Sequence, residues 1–140
     1  MKTRYSPLVK LKKSTMDKSE TFVQKASADL NSAATALSLS YSALDEIDTP
    51  KGGSINDLLA ARSLFTSQRN LIDNNKKWVT FAQSQVYSAK EQLKIDMIEY
   101  EKFKYLEFQE IKQINKEKKI AEAKELDEIA LMTYDKKVRD

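Results

Sequence analysis

Cysteine and histidine are absent from the 140 residues, and glycine and proline occur only twice each. Without thiols there is no disulfide framework, which is consistent with a reducing compartment. Losing both residue types also removes the commonest general base, the usual zinc ligands and the thiol nucleophile. No apolar run is long enough to span a bilayer. The basic opening MKTRYSPLVKLKK lacks the apolar stretch and small-residue cleavage site of a signal peptide. The one glycine pair, in KGGS at 51–54, lacks the spacing of a phosphate-cradling loop and reads as a turn between helices. Carboxylates are plentiful but alternate with lysines, as on solvated helix faces. These absences argue against an enzyme and leave no expected catalytic residue, cofactor or metal.

Charged residues make up 32% and hydrophobic residues 41% of the chain. That balance is too apolar for a disordered chain and too polar for a thick core. The length suits one domain, 1–140. Ser6 is the expected N-cap of a first helix, with Pro7 at the first helical position, where its missing N–H is tolerated. No further breaker appears before Pro50. Val9, Met16, Val23, Leu30, Leu37 and Leu44 recur every seventh residue. Lys12, Ser19, Ala26, Ala33, Ser40 and Ile47 follow three positions later in each heptad. A sustained period of seven predicts a left-handed coiled coil, and the small second set allows close backbone approach. From Leu30 to Leu44 there is no charge.

The stretch DEIDTPKGGS ends this helix, because proline cannot continue it and the glycines permit reversal. Ser54 is placed to cap a second helix, with Asp57 three residues on. Leu58, Phe65, Ile72, Val79, Val86, Leu93 and Tyr100 repeat at seven, with Ala61, Gln68, Asn75, Ala82, Ala89 and Phe103 between them and Asp96 among them. Beyond Phe103 the period loosens. Glu91–Lys94, Glu99–Lys102 and Glu101–Lys104 are spaced for local support. The expected fold is all-α: an antiparallel two-helix coiled-coil hairpin with a longer second helix. Its helices span about 6–48 and 54–137, joined by a short turn at about 49–54.

Lengths then raise a question of coverage. At 1.5 Å per residue the first helix reaches roughly 60 Å and the second roughly 120 Å. Folded back, the first runs out near Phe103, leaving the last ~35–40 residues alone. Yet the end, KELDEIALMTYDKKVRD, places Leu126, Ile129, Ala130 and Tyr134 on one face, flanked by Asp127 and Glu128. Helical stability comes mostly from packing, so this face implies an external cover. Leu8 and Leu11 of the first helix, or a second copy of the chain, are the alternatives. A second candidate surface is the row Leu64, Leu71 and Trp78, one position before the seam residues Phe65, Ile72 and Val79. It either widens the packing against the first helix or docks a partner.

Residues 1–13 carry five basic groups and no acid, while 91–140 mix 11 basic with 13 acidic groups. No basic stripe with interleaved aromatics points to nucleic acid.

The opening RYSPLVKLKK, the hairpin with a longer second helix and the terminal KELDEIALMTYDKK together resemble the FliJ family of flagellar type III export stalk proteins. The likeness covers the whole chain, its one local motif being the KELDEIA run at 124–130. The N-terminal pattern is similar to that of epsilonproteobacterial members. The resemblance implies a non-enzymatic stalk, similar to the central stalk of rotary ATPases. Its implied partners are the hexameric export ATPase, the cytoplasmic domain of the export gate and, for some members, substrate chaperones. It further implies a cytoplasmic protein held peripherally at the inner membrane through those partners. On that basis Leu8, Leu11, Leu126, Asp127, Glu128, Ile129, Ala130 and Tyr134 are expected to bind the ATPase. Leu64, Phe65, Leu71, Ile72 and Trp78 are expected to bind the gate. A generic secretion chaperone, a homo-oligomeric structural coiled coil and a rotary-ATPase subunit are the competing readings.

Overall fold

The computed structural model describes residues 2–48 and 52–139, with side chains through Lys137. It consists of two helices, α1 (Ser6–Asp45) and α2 (Ile55–Arg139). They run antiparallel, so the fold is the expected all-α hairpin with the longer helix second. Thr49, Pro50 and Lys51, at the centre of the expected turn, lie outside the described residues.

The cap of α1 differs from expectation. The Thr3 hydroxyl accepts the Tyr5 N–H at 3.1 Å, and the Ser6 hydroxyl accepts the Thr3 N–H at 2.9 Å. This reciprocal pair is a capping box in which Thr3 is the cap and Ser6 its third-position partner. The turn starts early because the Ser6 N–H already reaches the Thr3 carbonyl at 3.1 Å. Pro7 then falls in the first turn, where no donor is needed. At the other helix, Ser54 caps as expected: its hydroxyl accepts the Asp57 N–H at 3.3 Å. Gly53 precedes it at φ 126°, a conformation that L side chains rarely adopt.

Contacts group the chain into two units: Met16–Asp96, and Met1–Thr15 with Met97–Asp140. In the Met16–Asp96 unit the heptad positions form the seam. Ala26, Ala61, Ile72, Ala82 and Ala89 are its buried apolar residues. Ser19 donates to Asp96, and Asn75 donates to the Ser40 hydroxyl at 3.2 Å. Stepping one heptad inward from Ser19 and Asp96 brings Ala26 opposite Ala89, and a second step brings Ala33 opposite Ala82. Small residues therefore meet small residues, so the backbones can approach closely. The large row (Val23, Leu30 and Leu37 on α1; Phe65, Val79 and Val86 on α2) is half-buried beside them. The Ser40 layer is wholly polar. Gln68 donates to the Ser40 carbonyl at 2.8 Å, and the Ser40 hydroxyl donates to Leu37 O at 2.7 Å. A polar layer inside an apolar seam selects one register, because any slip leaves buried groups unpaired.

In the Met1–Thr15 and Met97–Asp140 unit, Lys12 lies 5.5 Å from the Phe103 ring centre and 3.8 Å from Glu99. Arg4 pairs with Glu110 at 3.2 Å. Glu99 thus turns to α1 rather than to Lys102. The N-terminal residues also reach farther than helix length alone suggested. Tyr5 and Arg4 line a groove with Leu106, Glu110 and Ile114. Glu107, Glu110 and Ile114 keep the heptad half-buried past Phe103. The cover of α2 therefore extends past Phe103 to Ile114 and the rim residue Glu117, because residues before the first helical turn also pack on α2.

Candidate docking surfaces

In the Met16–Asp96 unit the Leu64 row separates cleanly from the seam. Leu64, Leu71 and Trp78 are 59%, 47% and 62% exposed. Phe81 extends the row, edge-on to Trp78 at 6.1 Å between ring centres. Ile72, in contrast, is buried at 4% exposure and Phe65 is half-buried. Of the five residues expected at this surface, three face solvent and two support it from the seam. A helix places neighbours 100° apart, so adjacent rows point to different surroundings.

In the Met1–Thr15 and Met97–Asp140 unit every described side chain from Asn115 to Lys137 is exposed. Leu126, Ile129, Ala130 and Tyr134 share one side, with Asp127 and Glu128 beside them, all open to solvent. Leu8 and Leu11 are exposed as well, at 39% and 59%, while Val9 between them is half-buried. Arg4, four residues before Leu8, already pairs with Glu110. Leu126 lies sixteen residues beyond Glu110, about 24 Å along the helix. The structure therefore does not bring Leu8 or Leu11 onto the terminal face. Two of the N-terminal basic groups are engaged with α2. The Arg4 pKa is raised above its ordinary value, first by the hydrogen bond to Glu110 and then by Tyr5. Lys10 and Lys13 remain exposed.

A third row escaped the sequence reading. Ile98, Tyr105 and Phe108 are 58%, 62% and 60% exposed on the side of α2 away from its seam. Their steps of seven and three were visible in the sequence. Beyond Phe103 the period looked loosened because Glu107 and Glu110, which hold the true seam positions, are charged.

The threonine hydroxyls along both helices donate to their own backbone. Thr15, Thr21, Thr35, Thr66, Thr80 and Thr133 each bond the carbonyl four residues earlier. These hydroxyls are occupied by the helix. Among the described residues, no helix is long and apolar enough to cross a membrane.

A family model described as flagellar FliJ protein matches residues 1–139. The chain belongs to the FliJ family. No match is found among curated proteins or among solved structures. Membership gives this FliJ-family chain a role in flagellar biogenesis and protein export, and the family is one of non-catalytic export components.

Proposed function

We propose that this chain is a stalk that binds the hexameric export ATPase and links it to the export gate. The observation that carries the proposal is the uncovered end of α2. An 85-residue helix continues past its last intrachain cover and presents Leu126, Ile129, Ala130 and Tyr134 to solvent. An apolar stripe with no cover is stabilised by a partner. The flanking Asp127, Glu128, Lys136 and Lys137 favour one mode of insertion and discourage wrong partners. Leu8 and Leu11 add apolar area on the first helix. The row Leu64, Leu71 and Trp78 then serves the gate, with Ile72 and Phe65 holding it in place from beneath. Substrate chaperones are further candidates for the exposed rows. The chain acts in the cytoplasm, held at the inner membrane by its partners.

The test is the quadruple substitution Leu126→Ser, Ile129→Ser, Ala130→Ser and Tyr134→Ser in the full chain. Helicity and melting are expected to change little. Binding to the purified ATPase, and stimulation of its ATP hydrolysis, are expected to be lost. Full stimulation by the variant refutes the assignment of this face.

A further inference from the structure

The outer row Ile98, Tyr105 and Phe108 does not end at Phe108. Lys112, Lys116 and Lys119 continue it at steps of four, four and three, so the six residues share one face of α2, about 32 Å long. All six are exposed. The first half of this face is apolar, with Glu101 as its one acid, and the second half is basic. Gln109, Lys112, Gln113, Asn115, Lys116 and Lys119 line a shallow groove with no carboxylate in its wall. Between Lys102 and Ala121 the acids are Glu107, Glu110 and Glu117, and all three hold seam positions. The lysine row costs the helix stability, because Lys112–Lys116 and Lys116–Lys119 are like charges at spacings that face each other. The other side chains three or four residues from Lys112 and Lys116 are Phe108, Gln109, Gln113, Asn115 and Ile120, so no carboxylate on α2 relieves the repulsion. Lys94, Lys102 and Lys104, in contrast, each follow a glutamate by three residues. Among the described residues neither Lys112 nor Lys116 forms an ion pair.

We propose that this face docks an acidic amphipathic helix of another protein. Apolar side chains of that helix lie over Ile98, Tyr105 and Phe108, and its carboxylates lie over Lys112, Lys116 and Lys119. Charge complementarity selects the occupant: external carboxylates supply the relief that α2 does not provide for its own lysines. The exposed aromatic rings supply the anchors. The face is one helix stripe wide, which suits a helix laid along it. A flat anionic membrane fits it less well, because a plane also meets Glu101 and Glu122 at the edges. The face stops before Leu126, and the proposal does not depend on ATPase docking at the terminal face.

The probe is a synthetic helix with leucines along one half of a stripe and glutamates at steps of four and three along the other. The full chain is expected to bind it, more weakly as salt rises. The triple variant Lys112→Glu, Lys116→Glu and Lys119→Glu is expected to weaken binding by about tenfold or more. A probe with lysines in place of its glutamates is expected to restore binding to that variant. Ile98→Ala with Tyr105→Ala and Phe108→Ala is expected to lose binding without such rescue. Circular dichroism is expected to show the hairpin intact in both variants, since all six side chains are exposed. Lys116→Gln removes both like-charge contacts and is expected to raise the melting temperature slightly. A lower melting temperature would mean that the lysine serves the fold, and it overturns the proposal. So does unchanged binding by the charge-reversed chain, or equal binding of a probe whose glutamates are glutamines. Stronger lysine-dependent binding to vesicles rich in phosphatidylglycerol would make the occupant a lipid surface. Self-association in sedimentation that the charge reversal abolishes would make it a second copy. Either result replaces the acidic helix and overturns the proposal.

Discussion

Gly52 and Gly53 adjoin in the sequence but carry different constraints. A Cβ on Gly53 would lie 2.9 Å from a carboxylate oxygen of Asp57, at a φ of 126° that an L residue adopts only under strain. A Cβ on Gly52 would meet nothing within 4 Å. Gly53→Ala is therefore expected to destabilise the chain by about 1–2 kcal/mol, the typical magnitude for one strained backbone position. Gly52→Ala is expected to be neutral or slightly stabilising, through the unfolded chain. Urea unfolding of the two variants checks the contrast, and equal effects would contradict it. A second residue-scale expectation concerns Ser19 and Asp96. Ser19→Ala removes a hydrogen bond to a half-buried carboxylate and is expected to destabilise by about 0.5–1.5 kcal/mol. Combining it with Asp96→Leu is expected to recover most of that loss, because no seam group is then left unpaired. A double-mutant cycle measures the coupling, and additive effects would show that the contact contributes nothing. Capping illustrates what was readable at this scale. Ser54 and Asp57 were legible from spacing alone. Thr3 was not, because Ser6 followed by Pro7 carries an equally good signal and only the fold of residues 3–6 decides between them.

Helix existence and the seam were legible because a heptad repeat is a physical period that survives polar substitutions. Ser19, Ser40, Gln68, Asn75 and Asp96 all hold seam positions and are buried or half-buried. Their side chains bond across the helices or along them, and that pairing makes polar residues tolerable there. The candidate gate row was legible only in part. The period placed the seam at Phe65, Ile72 and Val79, but it could not tell whether the adjacent row also packs against α1. The structure makes the distinction, and it predicts opposite outcomes for neighbouring substitutions. Ile72→Ala is expected to lower stability by about 2–5 kcal/mol, as for a buried aliphatic residue cut to alanine. Leu71→Ala with Trp78→Ala removes largely exposed atoms and is expected to change the melting temperature little, while gate-domain binding is lost. Thermal melts and a binding assay on both variants provide the check. A large drop in stability for the Leu71 and Trp78 pair would show that the row packs against α1, and it would remove the docking role.

For the chain as a whole, the decisive quantity is where intrachain cover of α2 stops. Helix lengths alone put that point near Phe103. The folded N-terminal residues move it past Ile114, because Thr3 starts the turn early and Arg4 reaches Glu110. The sequence could not show this, since an N-terminal extension before a helix has no period to read. Residues 124–137 nevertheless remain beyond every contact that α1 makes. Most helical stability comes from packing, so their removal takes away surface helix and no core. A chain ending at Ala123 is expected to keep the cooperative melting of the full chain, with a transition shifted by no more than a few degrees. Its total helicity falls only by the share of the deleted segment. Binding and stimulation of the export ATPase are expected to vanish. Circular dichroism, a binding assay and an ATPase assay on one preparation report all of this. A truncated chain that still stimulates the ATPase fully would move the docking site to Leu8, Leu11 or the Ile98, Tyr105 and Phe108 row. One that unfolds at a much lower temperature would mean that the terminal segment supports the hairpin, contrary to its exposure along its whole described length.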